Sequence, residues 1–178
     1  YCPEVRMINN LGYGKYIFEI DSLVTPLDKD IVVGLFMYDR EDSVNFHKEV
    51  DIEFSQWGKD NSLNSQYVMQ PKEDEAYRFN TELTKKSKHT IKKKKKKIGF
   101  KSTYQMDSDG GCFSKNFSHW KIKPNKEYKS LNERVSINVW LYRMSEPSNL
   151  KEFEIVIAKF EFKPFNFAGI LNPAPNAK

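Results

Sequence analysis

Three acids stand at alternate positions in the run Glu49-Val-Asp51-Ile-Glu53-Phe. In an extended strand, residues i, i+2 and i+4 share a face, so the three carboxylates point one way while Val50, Ile52 and Phe54 point the other. Like charges crowded on one face repel, and at least one is pushed toward its protonated form. Cleavage of a glycosidic bond uses such crowding, because one carboxylate must be ionised while a neighbour is protonated. The same pattern on a solvated strand, paired with lysines across the sheet, would carry no chemistry. Alternation alone does not choose between the two.

Positioning such a strand takes a sheet, and the chain reads as strands parted by turns. Apolar and β-branched patterning predicts strands over 14–20, 31–38, 49–54, 66–70, 98–104, 135–142 and 153–163. The nearly continuous apolar run at 31–38 is expected to be buried on both faces. A polar loop is expected over 40–48, and turns at Thr25-Pro26-Leu27-Asp28 and at Asp107-Ser-Asp-Gly-Gly111. The second turn lacks the closing glutamate of a calcium-binding EF-hand. No helical period is found. Six consecutive lysines, Lys92 to Lys97, repel one another and offer no apolar stripe. The fold class is therefore all-β, a sandwich or jelly roll, with no internal repeats. A chain of 178 residues is one domain by size, taken as 1–164 with 165–178 as a loose tail.

Charge sets further bounds. The net charge of +5 comes from one tract: Lys85, Lys86, Lys88, Lys92 to Lys97 and Lys101 supply ten cations, and the rest of the chain stands at −5. The protein is mildly acidic with one basic segment, expected to be solvated. No phosphate-cradling glycine loop or nucleic-acid module accompanies it, so no nucleic-acid partner is expected. No apolar run approaches the ~18 residues of a membrane span, and no membrane partner is expected. The chain opens at Tyr1 with no secretory leader pattern. Cys2 and Cys112 allow either one disulfide or two free thiols. His47, His89 and His119 have no metal-ligand spacing and read as surface residues, so neither metal nor cofactor is expected.

The run from Glu49 to Phe54 resembles the active-site motif of family 16 glycoside hydrolases, which include lichenases, laminarinases, agarases and carrageenases. Cys2-Pro-Glu4-Val-Arg6, Gly12-Tyr-Gly14-Lys-Tyr16 and Val33-Gly-Leu-Phe36-Met-Tyr38 resemble the family's upstream segments in order and spacing. Ile137-Asn138-Val-Trp140-Leu and the run from Glu154 to Pro164 resemble two downstream strands, so the likeness spans most of 2–164. It implies a concanavalin A-like jelly roll of two antiparallel sheets with a concave cleft, in a short or truncated member lacking its first strands. It implies a retaining, endo-acting hydrolase of a polysaccharide, either a β-glucan or a galactan. Glu49 would be the nucleophile, Glu53 the general acid/base, and Asp51 the residue that tunes their protonation.

The same resemblance implies substrate contacts from Glu4, Arg6, Trp57, Gln66 and Trp140. Phe36 and Tyr38 are open between core and cleft, Trp120 is a further cleft candidate, and Asn138 is open between structure and binding. Action outside the cell or in the envelope follows from the substrate, and a monomer is expected. Where the family carries an aromatic strand after a His-Thr pair, this chain has His89-Thr90 followed by lysines, which implies a loop or an insertion. The competing reading is a carbohydrate-binding jelly roll without turnover. In a flat strand Glu49 and Glu53 have Cα atoms about 13 Å apart. Retaining carboxyls need about 5–5.5 Å, so the strand must curve or the side chains lean together.

Overall fold

The computed structural model describes residues 2–23, 26–60, 62–70, 76–108, 111–123 and 132–165. Two antiparallel sheets are packed face to face. The first holds, in spatial order, β1 (Glu4–Asn10), β10 (Arg134–Leu141), β3 (Ile31–Tyr38), β4 (Val50–Phe54), β5 (Ser65–Met69) and β6 (Tyr77–Phe79). The second holds β11 (Ile155–Pro164), β2 (Gly14–Leu23), β7 (Ser87–Lys94), β8 (Lys97–Ser108) and β9 (Gly111–Ile122). Among the described residues there is no α-helix; a 3-10 turn at Ser43–Lys48 fills the expected polar loop. The expected turn near 107–111 falls where Ser108 pairs with Gly111. Asp109 and Gly110 lie outside the described residues, as does the expected tail beyond Phe165.

Alternation explains the layering. Val33, Leu35 and Met37 of β3 and Val50, Ile52 and Phe54 of β4 face Tyr16, Phe18, Ile20, Ile91, Ile98 and Phe100 of the second sheet, and all are buried. Tyr67 stacks on Phe100 at 4.8 Å between ring centroids, which ties the sheets together beneath the acidic strand. Trp120 stacks on Phe100 at 5.5 Å and belongs to this packing, so it is a core-side residue and not a cleft one.

Two expectations about the lysine-rich segment are corrected. It is neither a loop nor an insertion: β7 and β8 form a hairpin in the second sheet with Lys95 and Lys96 at its tip. Ser87, His89, Ile91 and Lys93 point inward while Lys88, Thr90, Lys92 and Lys94 point outward, so the lysines follow the strand's period of two. The one inward lysine, Lys93, meets Glu133 at 2.5 Å with both side chains essentially shielded from solvent. Burial pushes both toward their neutral forms, and each one's charge opposes that for its partner.

His89 is not a surface residue either. It is fully buried, bonded to the hydroxyls of Ser87 at 2.9 Å and Ser102 at 2.8 Å, and Ser102 also accepts from the Tyr67 hydroxyl at 2.7 Å. Burial lowers its pKa from 6.5 to about 3.

The open side of the sandwich lies between β1 and β11. Val5 points toward the core layer yet is 73% exposed, and it borders a groove of about 910 Å³ shared with Ile137, Ile155 and Ile157. Cys2 nearby is free and exposed, while the Cys112 side chain lies outside the described residues.

Two stability predictions come from the buried polar groups. His89 has a folded pKa below its unfolded one, so the unfolded chain takes up the proton first. Stability is complete above pH 6.5 and falls as pH drops toward about 3. The expected loss at pH 5 is about 2 kcal/mol. Denaturant titrations at pH 7 and pH 5 should show it, and His89→Gln should remove this part of the slope. For the ion pair, Lys93→Met strands a buried carboxylate and should cost about 3–5 kcal/mol. Lys93→Met with Glu133→Leu should recover most of that loss in the same titration.

Candidate active site

β4 lies between β3 and β5, and its register sets two rows of side chains on the face turned away from the second sheet. In the first row Glu53 stands beside Gly34, then Asn138, then Glu4; on its other side come Gln66 and Arg78. The second row runs Arg6, Ser136, Phe36, Asp51 and Val68. Glu49 precedes β4, and its carbonyl accepts the Gln70 N–H at 3.0 Å, which keeps it in line with the strand. Strands distant in sequence thus bring Glu4, Arg6, Gln66 and the three acids onto one face.

A cavity of about 210 Å³ opens among them, lined by Glu49, Asp51, Glu53, Gly34, Phe36, Asn138 and Trp140. Gly34 makes this possible. A Cβ there would lie 2.5 Å from Asn138 Oδ1 and 3.3 Å from Phe36 Cδ1, so a side chain would displace the Asn138 amide that forms the cavity wall.

The approach to the acidic strand is a left-handed turn. Phe46, His47 and Lys48 have φ of 50°, 58° and 49°, a conformation that costs non-glycine residues about 1–2 kcal/mol each. Several contacts hold it. The His47 N–H donates to Asp42 O at 2.7 Å, and the Asp39 N–H donates to His47 O at 2.7 Å. The His47 ring also bonds through Nδ1 to Asp39 O at 2.9 Å and stacks on Tyr38 at 4.5 Å. Lys48 pairs with Asp42 at 2.6 Å. The turn therefore delivers Glu49 with an imidazole and a phenol beside it, and His47 is a supporting residue of the site rather than a bystander.

Burial raises the pKa of all three acids. For Glu49 the charge of Glu53 adds to the rise, while the hydrogen bond with Asp51 and the nearby His47 oppose it. Asp51 is pushed well above the carboxylate range by burial and by the charges of Glu49 and Glu53, and its hydrogen bond with Glu49 raises it further. That contact shifts the two acids in opposite senses, which favours the proton on Asp51 over Glu49. Glu53 is raised by burial but held back by the Gln66 amide, which donates to its Oε2, and by the positive charge of Arg78.

Arg78 is not apparent from the sequence as a site residue. Its guanidinium lies 4.3 Å over the Trp57 ring, a cation–π contact that fixes it beside Glu53. This corrects the expectation for Trp57: the indole is 9% exposed and capped by Arg78, so it is a platform for the arginine and not an open surface for a sugar. Trp140 is half-buried on the cavity wall, Glu4 is exposed on β1, and the Arg6 guanidinium lies 5.9 Å from the Tyr38 ring centroid. Phe36 lines the cavity, and Tyr38, two residues on along the same strand, lies against Phe36 and Arg6, which puts both on the cleft face. Six side-chain atoms among the described residues are buried without a hydrogen-bond partner; Gln66 Oε1, Asn138 Oδ1, Ser136 Oγ and Arg6 Nε come from these two rows, while Ser118 Oγ and Glu133 Oε1 lie elsewhere. No group of three or more His, Cys, Asp or Glu among the described residues is placed to hold a metal ion.

No protein-family profile matches the chain, and no curated protein matches it. Solved structures do. A Crh5 transglycosylase in complex with NAG superposes with a TM-score of 0.63 at 11% identity, covering 93% of this chain and 69% of that one. A native glycosidic hydrolase gives 0.57 at 16% identity, covering 92% and 70%. The Bacillus licheniformis β-glucanase gives 0.50 at 16% identity, covering 78% and 57%. The fold is a concanavalin A-like jelly roll. Glycoside hydrolases share it, and this chain spans about 57–70% of the length of those three.

Arg78→Ala removes the cation that draws the Glu53 pKa down, so Glu53 should titrate at higher pH. Carboxyl-carbon NMR titration reads this directly, and an unchanged Glu53 midpoint would refute the assigned coupling. The exposed indole should shift Trp57 fluorescence to longer wavelength in the same variant.

Proposed function

We propose that the chain is a retaining, endo-acting glycoside hydrolase of the family 16 type, acting on a polysaccharide such as a β-glucan or a galactan. The observation that carries this reading is the set of three acids that line one cavity from one strand face, where burial raises the pKa of each. Asp51 keeps Glu49 ionised and aimed. Glu49 attacks the anomeric carbon while Glu53 gives its proton to the departing glycosidic oxygen. The bond to the leaving sugar breaks as the glycosyl-Glu49 ester forms. Glu53, now ionised, takes a proton from water, which attacks the same carbon and releases Glu49. The four unpartnered polar atoms of the two rows are suited to sugar hydroxyls, and Trp140 offers a ring face to sugar C–H groups. The setting proposed from this substrate is outside the cell or in the envelope, with the chain acting as a monomer.

A second reading rests on Glu53. The Gln66 amide and Arg78 both favour its ionised form, which weakens it as a proton donor. On that reading the chain is a carbohydrate-binding jelly roll without turnover.

The test is release of reducing ends from a panel of β-glucans and neutral and sulfated galactans. Hydrolysis by the wild type should fall at least ~1000-fold in Glu49→Gln and in Glu53→Gln, and less in Asp51→Asn. The rate profile should be a bell set by Glu49 and Glu53 as a coupled pair, which is active with one acid ionised and the other protonated. Both acids are raised, so both limbs should lie above 4.5. Binding without hydrolysis or transfer across the panel would favour the second reading. Normal turnover by either glutamine variant would overturn the first.

A further inference from the structure

The outer face of the second sheet carries cations in an uneven way. At the start of β7 each outward or flanking lysine has an acid opposite: Lys86 meets Asp21 at 3.0 Å and Lys88 meets Glu19 at 2.9 Å. Toward the hairpin tip this pairing stops. The register sets Lys163, Lys15, Lys92, Gly99 and Lys121 side by side on five successive strands. Lys94 and Lys97 pair at the end of the hairpin, and Lys101 stands one row back. Among the described residues Lys15, Lys92, Lys101 and Lys121 make no ion pair, and the acid of the neighbouring row, Glu161, is engaged by Lys159 and Lys163 at 3.3 Å each.

We propose that this lysine row on the back of the sandwich, opposite the acidic cleft, is a binding surface for an anionic polysaccharide bearing sulfate or carboxylate groups. Adjacent strands lie about 4.8 Å apart, so the row sets cations closer together than water alone would favour, and a polyanion laid across it relieves their repulsion. Lys92 already registers the crowding: burial and the charges of Lys15, Lys101, Lys94 and Lys121 lower its pKa. Gly99 leaves the middle of the row flat, with the nearest atoms to a Cβ at ordinary contact distances of 3.8–4.0 Å.

The surroundings favour a glycan over other polyanions. None of the large exposed apolar side chains among the described residues lies in this row, which leaves no wedge for a bilayer; the rings beside it are Phe165, already covered by Lys94 at 5.2 Å, and the imidazole of His119. The cations are all lysines, point charges without the planar fork with which arginine grips phosphate. The proposal does not rest on the cleft reading, and hydrolysis is measured separately from it.

Immobilised heparin is the probe, with single-stranded DNA and phosphatidylserine vesicles beside it. Lys15→Gln, Lys92→Gln and Lys121→Gln are combined in one variant. A control of equal charge combines Lys86→Gln, Lys88→Gln and Lys159→Gln, all from ion pairs. Heparin affinity should fall at least ~10-fold in the row variant and less than ~2-fold in the control, and ~0.5 M salt should release the wild type. Thermal melting checks that both variants fold, and single replacements of the same three lysines should each give part of the loss. Equal losses in variant and control, no loss in the row variant, or tighter binding to DNA or to vesicles than to heparin would each overturn the proposal.

Discussion

Holding three carboxyls on one strand face, shielded from water, is the constraint around which the rest of this molecule is arranged. Burial alone would neutralise all of them, and mutual repulsion would splay them apart. The sheet answers by giving each acid a different neighbour: Asp51 hydrogen-bonds Glu49, while Gln66 and Arg78 attend Glu53. Gly34 then leaves room where a side chain would close the space above them. The strained turn at Phe46–Lys48 belongs to the same arrangement, since conformations of this kind persist only where surrounding contacts over-determine them.

The core beneath the site tolerates polar groups by the same rule of local satisfaction. Ser87, His89, Ser102 and Tyr67 form a chain of hydrogen bonds between the sheets, and Lys93 and Glu133 neutralise each other where neither could remain alone. These groups give direction to a layer otherwise held by non-directional aromatic and aliphatic packing. They also make the protein sensitive to acidity through its core as well as through its cleft.

Much of the first sheet was legible in the sequence because its strands bury one face or both: the apolar run of β3 and the acid–apolar alternation of β4 announce themselves over five to eight residues. β7 was hidden. Its outward lysines obey the period of two, but a lysine at the inward position 93 breaks the apolar signal, and its partner Glu133 lies forty residues on. His89 read as a surface residue because its type is polar, although the spacing Ser87-x-His89-x-Ile91 already placed it on the inward face. β6 is three residues long and too short to show a pattern. Arg78 and Gly34 could not be placed from local sequence. The first matters because Trp57 lies across the sheet from it, and the second because β10 packs beside β3 a hundred residues later in the chain.

The position of β10 between β1 and β3 bears on how the molecule is made. The runs β3–β4–β5 and β7–β8–β9 join neighbours in sequence and close short loops, so they can form early. Among the described residues, the edge strand β1 pairs in its sheet with β10 alone. Contacts that bridge long stretches of chain are slow to form, because loop-closure entropy is lost before they reward it. Until residues 134–141 have been made, the edge of β3 that β10 covers has no strand to pair with. The wall that Asn138 and Trp140 give to the cavity is a late product of folding, and the interval before it forms is when an unpaired edge is most exposed to the wrong partner.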